Sequence, residues 1–221
     1  MIRIISGLYK GRRLKLVPSP SVRPMQDKIK GALFSIVQDR LKGSICLDGF
    51  SGTGSVGLEA LSRGAETVVF VDEFALAIKA IRANVATCGA DDKAVVLHRE
   101  FNRAVIDLAR KGVAFDVIFL DPPYKLLEER NPLRVIRKRA VLKPGGLIVL
   151  RHYYRITPAV GDFALVRRVA LGDDVLSFFG HPAAEGQAPK PGQAASRGRL
   201  ASGGSFLKND VGLRKNRDSA L

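Results

Sequence analysis

Apolar residues in the middle of the chain fall into short continuous runs, and stretches with apolar residues at helical spacing separate these runs. The runs predict buried strands over residues 45–47, 67–71, 94–97, 115–120 and 147–150. The stretches between them predict helices over residues 55–61, 75–88, 102–111 and 125–141, the last in spite of Pro132. Strands that alternate with helices are typical of a parallel sheet with right-handed crossovers, so we expect an α/β fold.

The two ends of this pattern differ from its centre. Residues 163–171 and 175–179 predict two strands joined by a turn, which indicates an antiparallel hairpin at the end of the sheet. Near the amino terminus, the alternating segments 2–5 and 13–17 flank a turn-rich segment and predict another hairpin. A Pro-rich linker at 18–24 follows, and then helical spacing continues to about Leu41. We expect this helix to pack on the domain that follows.

The net charge of the chain indicates a polyanionic binding partner. Its 221 residues carry a net charge of +15, and residues 1–42, with ten basic and two acidic residues, contribute +8 of it. Clustered basic residues gain affinity for nucleic acid because they displace its condensed counterions; an anionic membrane surface is the alternative partner. No apolar run approaches the roughly 20 residues that span a bilayer, and residues 1–7 are too poor in apolar content for a secretion signal. We therefore expect a cytoplasmic protein that is not in the membrane.

Composition divides the chain into three regions. Cys46 and Cys88 lie far apart and the three histidines are scattered, so we predict reduced packing cysteines and neither a disulfide framework nor a metal site. Of the 41 residues from 181 to 221, 20 are Gly, Ala, Ser or Pro. This composition predicts a disordered basic tail. The predicted regions are a basic hairpin and helix at 1–42, an α/β domain at 43–180 and the tail at 181–221.

The motif Asp121-Pro122-Pro123-Tyr124 directly follows the apolar run 115–120. Ligands of open α/β sheets bind at the carboxyl ends of the strands, so the motif lies where a site is expected. The prolines restrain the backbone of the motif and of Asp121 before it, which places a carboxylate beside an aromatic ring. These features suit a flat substrate that bears an amine. The alternative is a Pro-Pro turn with a solvated carboxylate and a packing tyrosine.

A glycine-rich loop follows the first predicted strand of the α/β domain. Gly52, Gly54 and Gly57 fit the pattern G-x-G-x-x-G, and Asp72 ends the next predicted strand, which is the layout of a dinucleotide site. The same layout serves S-adenosylmethionine. Asp48 favours the second ligand, because a carboxylate inside the loop repels a pyrophosphate and attracts a cationic amino-acid group. Glu100 and Phe101 follow the third strand and are placed to meet an adenine, although Phe101 is equally well explained as a core residue.

Together these motifs resemble the class I S-adenosylmethionine-dependent methyltransferases that modify amino groups of bases. Four further segments are similar to the bacterial 16S ribosomal RNA guanine-N2 methyltransferase family: Arg3 to Arg12, Arg23-Pro24 with Asp27, Gly57 to Ala65, and Gly172 to Phe178. The resemblance covers about residues 2–180. It implies a Rossmann-like fold with a seven-stranded, mostly parallel sheet that ends in an antiparallel hairpin, preceded by a small basic hairpin and helix.

The resemblance also implies S-adenosylmethionine as the cofactor, 16S rRNA or a small-subunit assembly particle as the partner, and a monomer. The implied catalytic residues are Asp121, Pro122, Pro123 and Tyr124. The implied cofactor-binding residues are Asp48, Gly49, Phe50, Ser51, Gly52, Gly54, Asp72, Glu73, Glu100 and Phe101. The expected RNA-binding residues are Arg3, Lys10, Arg12, Arg13, Lys15 and Arg23.

The chain departs from the family pattern at several of these positions. Gly49 stands where a bulkier apolar residue is usual, and Met25 replaces a threonine. Glu100 occupies a place where aspartate is commoner, and Arg151 one where an acid is frequent. We expect these changes to affect affinity and fine specificity more than the reaction.

The motif predicts a specific kind of chemistry. The Asp121 carboxylate and the Pro122 carbonyl would each accept a hydrogen bond from an amino group, which aims the nitrogen lone pair and favours its tetrahedral form. Tyr124 would stack on the base. Three alternatives stay open at this point: an adenine methyltransferase acting on DNA or another RNA, a noncatalytic rRNA-binding assembly factor with the same fold, and a nicotinamide oxidoreductase.

Overall fold

A computed structural model describes residues 2–18 and 25–182 of the chain. The predicted RNA contact Arg23 and nearly all of the predicted tail lie outside these residues. The strands are β1 (Ile2–Arg3), β2 (Arg13–Leu14), β3 (Ile45–Gly49), β4 (Thr67–Asp72), β5 (Ala94–His98), β6 (Phe115–Leu120), β7 (Leu142–Tyr153), β8 (Ala164–Leu171) and β9 (Asp174–Gly180). The α-helices are α1 (Asp27–Val37), α2 (Ser55–Ser62), α3 (Ala75–Cys88), α4 (Phe101–Arg110), α5 (Tyr124–Glu129) and α6 (Pro132–Arg139).

Strands β3 to β9 form one sheet in the order β5-β4-β3-β6-β7-β9-β8. The first five strands of that order pair in parallel, and β9 pairs antiparallel with both β7 and β8. The chain reverses its direction of travel across the sheet between β3 and β6, which lie side by side. These observations confirm the predicted fold class. They also place the carboxyl ends of β3 and β6 at the point where an open α/β sheet binds ligands.

Both faces of the sheet are covered, and the side-chain alternation of the strands assigns residues to each. Cys46, Val68 and Phe119 belong to a core with α1, α2 and α3. Their neighbours Leu47 and Val69 belong to a second core with α4 and α6. Because a strand turns successive side chains to opposite faces, strands buried on both sides must be apolar throughout. This is why their sequences are continuous apolar runs.

The amino-terminal segment completes the first of these cores. β1 and β2 pair antiparallel, with Ile2 opposite Leu14. Both residues are buried in the core that contains α1 and α2. Helix α1 packs on the sheet as expected, and the ring of Phe34 lies 5.7 Å from that of Phe119 on β6. The predicted hairpin and helix are therefore present, although the strands of the hairpin are only two residues long.

Two elements differ from their predictions. The helix predicted over 125–141 is two helices, α5 and α6, because Pro132 has no N–H to continue the first and begins the second instead. The side chain of Asn131 caps α6 by accepting a hydrogen bond from the N–H of Leu133 at 3.0 Å. Strand β7 begins at Leu142 rather than at residue 147, and residues 143–146, which include a proline and two glycines, form an irregularity in its pairing with β6.

Candidate active site

A cavity of about 740 Å³ opens at the carboxyl ends of β3, β4 and β6. This is within the usual size range of a small-molecule site, about 300–1,000 Å³. Predicted site residues that line it are Asp48, Phe50, Ser51, Gly52, Asp72, Glu73, Glu100, Phe101, Asp121, Pro122 and Pro123. Gly49 ends β3 and Gly54 precedes α2, and neither is among the described residues that line the cavity. Tyr124 is the first residue of α5, and the stacking role of its side chain stays a prediction.

The glycine loop is held by its own hydrogen bonds and by Asp72. The N–H of Gly52 donates to Asp72 Oδ2 at 2.8 Å, and the N–H of Phe74 donates to Oδ1 at 2.9 Å. Gly52 and Gly54 adopt φ of 54° and 74°, in the left-handed region that favours glycine. Asp72 thus braces the loop while also facing the cavity, and a carboxylate retains acceptor capacity for a ribose hydroxyl beyond these two bonds.

Asp48 is the most deeply placed acid of the cavity, with 3% of its surface exposed. Its Oδ2 accepts a hydrogen bond from the N–H of Gly57 at 2.8 Å. Burial raises the pKa of Asp48 well above its ordinary value; the Gly57 bond opposes this rise, and nearby Asp121 and Asp72 add to it. A cation bound beside Asp48 would relieve this cost, because an opposite charge favours the ionised form. The site is therefore suited to a positively charged group.

Phe101 lines the cavity and is also a core residue, with 3% of its surface exposed. Its ring stacks on that of Phe50, with centroids 4.8 Å apart and planes at 25°. A Cβ added to Gly49 would lie 2.4 Å from Phe101 Cε2, so glycine is required there by the aromatic ring. The departure at Gly49 thus has a physical cause. The two rings form an apolar wall on which a flat heterocycle can lie.

Glu100 has a structural role in addition to the predicted one. It caps α4, since its carboxylate accepts hydrogen bonds from the N–H groups of Asn102 at 3.1 Å and Arg103 at 3.0 Å. Its contact with an adenine stays a prediction.

The Asp121 carboxylate forms an ion pair that no sequence motif predicted. Arg151 Nη1 donates to Asp121 Oδ2 at 2.8 Å, and Arg151 Nε donates to Asp174 Oδ1 at 2.9 Å. Burial raises the pKa of Asp121, and Arg151 acts against this rise. Met25 and Gln26, just before α1, also line the cavity. Arg151, Asp174, Met25 and Gln26 were not predicted as site residues. Met25 and Arg151 differ from the family pattern, but that difference did not indicate that they would lie at the cavity.

The predicted RNA contacts within the described residues are all exposed: Arg3, Lys10, Arg12, Arg13 and Lys15. Arg3 pairs with Asp27 at 3.4 Å, and the Arg12 guanidinium lies over the ring of Tyr9, 5.4 Å from its centroid. These residues form a basic surface on the hairpin, and their contact with RNA stays a prediction. Within residues 2–18 and 25–182, no helix has the length and apolar character needed to cross a bilayer.

Comparisons with known proteins agree with this architecture. The chain is 37% identical over 173 residues to "Putative rRNA methyltransferase YlbH" of Bacillus subtilis, an alignment that covers 77% of this chain and 94% of the relative. It is 34% identical over 152 residues to "Ribosomal RNA small subunit methyltransferase D" of Haemophilus influenzae, covering 66% of this chain and 76% of that one.

Among solved structures, "Putative methyltransferase yhhF" from Escherichia coli matches with a TM-score of 0.70 and 29% identity, over 83% of this chain and 99% of the other. The family described as "Conserved hypothetical protein 95" matches residues 2–180, and the chain belongs to it.

Proposed function

We propose that this protein transfers a methyl group from S-adenosylmethionine to the N2 amino group of a guanine in 16S rRNA. The observation that carries this proposal is the convergence of Asp48 and Asp121 on one cavity, from the ends of the adjacent strands β3 and β6. One acid suits a cationic cofactor and the other suits an amine-bearing base. The names of the Bacillus and Haemophilus relatives support ribosomal RNA as the substrate.

The residues of the cavity fit S-adenosylmethionine, which combines an amino-acid group, a positive sulfur and an adenosine. Asp48 would hold the cationic end of the cofactor, and Asp72 and Glu73 would accept hydrogen bonds from the ribose. Phe101 and Glu100 would contact the adenine, with the Phe50 ring stacked on that of Phe101. When bound, this cofactor supplies a methyl group whose carbon leaves the sulfur as it bonds to the nitrogen.

Asp121 and Pro122 would prepare the amine for this transfer. The lone pair of an exocyclic amino group is delocalised into the base, so the nitrogen is a poor nucleophile. Two acceptors fix the directions of both N–H bonds and favour the tetrahedral nitrogen of the transition state. Positioning then contributes the rest of the acceleration. The methylated nitrogen is acidic enough to lose its extra proton without a strong base.

The basic amino-terminal region, residues 1–42, would hold the RNA. Arg3, Lys10, Arg12, Arg13 and Lys15 are exposed, and phosphate contacts of this kind position a nucleic acid without determining which base is selected. Met25 and Gln26 connect this region to the cavity, because they line it directly before α1. The target base must leave its stack, or lie in an unpaired loop, to reach Asp121.

The test is methyl transfer to ribosomal RNA by the wild-type protein and by Asp121→Ala. We expect the variant to lose roughly 100- to 1,000-fold in rate, the scale for removing one transition-state acceptor or donor, and to bind S-adenosylmethionine as before. Asp107→Ala is the matched control, because Asp107 lies on α4 and pairs with Arg99 at 3.2 Å. Near-normal activity of Asp121→Ala would reject the mechanism.

The product identifies the substrate. Mass spectrometry of digested rRNA from cells with and without the gene is expected to show one methylguanosine lost. A missing methyladenosine would assign the activity to adenine instead. Saturable binding of a nicotinamide dinucleotide, with none of S-adenosylmethionine, would overturn the cofactor assignment.

A further inference from the structure

Arg151 on β7 connects the candidate catalytic acid Asp121 to the antiparallel hairpin of β8 and β9. The parallel pairing of β6 and β7 aligns Leu120 with Leu150, so Asp121, which follows the end of β6, lies beside Arg151, which is still within β7. The antiparallel pairing of β7 with β9 brings Asp174 to the same place, opposite Tyr153. Arg151 then bonds to one carboxylate on each side, at 2.8 Å and 2.9 Å.

This arrangement differs from an ordinary surface ion pair. The Arg151 side chain is 16% exposed, and those of Asp121 and Asp174 are 31% and 18% exposed. Exposed pairs contribute little because water screens them and both side chains lose freedom. Here one rigid guanidinium plane is anchored on β9 through Nε and presents Nη1 to Asp121. A carboxylate held at one oxygen cannot rotate freely about its terminal bond, so the direction of its other oxygen is also set.

We infer that Arg151 is a positioning residue for methyl transfer: it holds Asp121 Oδ2 so that Oδ1 accepts the N–H of the target amine. The inference rests on the proposed function and adds to it a residue that the motif does not contain. Asp174 is part of the same device, since it fixes the guanidinium from the opposite side. Both residues line the cavity.

Charge supports the same role. Burial raises the pKa of Asp121, Arg151 lowers it, and Asp174 raises it. The Asp48 carboxylate on β3 also faces Asp121 and interacts unfavourably with it. Arg151 is the cation among these groups, so it favours the ionised form of Asp121. In this form both carboxylate oxygens can accept a hydrogen bond from an N–H group. Without Arg151, Asp121 would become protonated at a higher pH and would lose its acceptor role there.

The test compares Arg151→Met, Arg151→Lys and Asp174→Asn by the pH dependence of kcat. We expect Arg151→Met to reduce kcat about 100-fold, the scale for a misplacement of about 1 Å, with KM for RNA and cofactor unchanged. As the pH is lowered, kcat of Arg151→Met is expected to decline at a higher pH than kcat of the wild type. Arg151→Lys keeps the positive charge, so its kcat should decline at the same pH as that of the wild type. Asp174→Asn moves the decline toward lower pH, because it removes a charge that raises the Asp121 pKa.

A readout without catalysis separates this inference from the proposed function. The carboxyl carbon of Asp121, identified by its loss in Asp121→Asn, is titrated by NMR in the wild type, Arg151→Met and Arg151→Lys. A higher pKa in the methionine variant alone supports the inference, even if the wild type transfers no methyl group and the proposed function fails. If Arg151→Met does not fold, the test is made with Arg151→Lys. The inference then requires a reduced kcat in that variant with the pKa of Asp121 unchanged from the wild type. An unchanged titration in Arg151→Met, or an undiminished kcat in either Arg151 variant of an active enzyme, would overturn the inference.

Discussion

A buried acid on α2, Glu59, is one of the contacts that hold the amino-terminal hairpin on the α/β domain, and its replacement is a demanding test of the structure. Glu59 on α2 is fully buried and accepts hydrogen bonds from the N–H groups of Ile5 at 2.8 Å and Ser6 at 3.0 Å. It also accepts one from Arg63 Nε at 2.9 Å, and Lys30 Nζ on α1 lies 3.6 Å away. Glu59→Leu would leave two backbone donors and a buried lysine without this acceptor.

The expected cost follows from these partners. Removing one member of a buried ion pair costs about 3–5 kcal/mol. A buried backbone N–H that loses its acceptor costs about 1–3 kcal/mol by itself, and we count this cost within the first figure instead of adding it. We therefore expect Glu59→Leu to reduce the free energy of unfolding by about 3–5 kcal/mol, a large part of the usual 5–15 kcal/mol. Lys30→Met in the same chain should recover part of it, because burial already lowers the pKa of Lys30 and Glu59 opposes that effect.

The assay is urea denaturation with the slope m compared between variants, together with hydrogen exchange of the Ile5 and Ser6 amides. These amides are expected to lose protection in Glu59→Leu before the sheet does. Glu66→Leu, at an exposed acid just beyond α2, is the matched control and should stay within about 0.5 kcal/mol of the wild type. Equal stability of the two leucine variants would refute the argument, and so would equal costs of the single and double variants.

Three further predictions concern the RNA surface and the cavity. Neutralising three basic residues of the hairpin should make the salt dependence of RNA binding shallower by about 2–3 in log–log slope, with cofactor binding intact; the residues are Arg12, Arg13 and Lys15. Gly49→Ala should cost about 1–3 kcal/mol of stability through its contact with Phe101, measured by urea denaturation, and Phe101→Leu should relieve part of that cost. Calorimetry should show the Kd of S-adenosylmethionine rising as the pH falls through the raised pKa of Asp48, because protonation removes the carboxylate that holds the cation.

Each of these has a result that contradicts it. An unchanged salt slope would remove the hairpin from the RNA interface, and the control that neutralises Arg110 and Lys111, at the end of α4, should keep the wild-type slope. Additive costs of the substitutions at 49 and 101 would show that the two positions do not compete for space. The same pH dependence of cofactor binding in Asp48→Asn would assign the effect to another group.

Local patterns were sufficient for most of the fold. Helix α3 and strand β6 have the predicted bounds, because a long amphipathic helix and a strand buried on both faces leave unambiguous signals. The prediction over 125–141 was wrong in one respect, since Pro132 begins a helix rather than being carried within one. The start of β7 was also missed, because turn residues at 143–146 lie inside an irregular strand pairing that the sequence pattern does not show.

The candidate site divides in the same way. The structure brings Asp48, Asp72 and Asp121 to one cavity, because the carboxyl ends of parallel strands meet at one edge of the sheet, and their roles stay predictions. Arg151 and Asp174 were not connected with Asp121 in advance, since they approach it only through the register of β6, β7 and β9. The space-filling relation between Gly49 and Phe101 depends on side-chain packing between a strand and a helix, and neither residue reveals it alone.

The distribution of charge explains how one basic protein can serve both a cationic cofactor and a polyanion. The chain has a net charge of +15, yet among the residues that the structure describes, seven acidic and three basic side chains line the cavity. Phosphates are repelled by such a lining and attracted by the exposed arginines and lysines outside it. An uncharged base meets no such repulsion, so it can enter while its backbone stays on the outer surface. Under the proposed function, the acidic residues therefore keep the phosphates of the RNA out of the cavity and let the target base enter it.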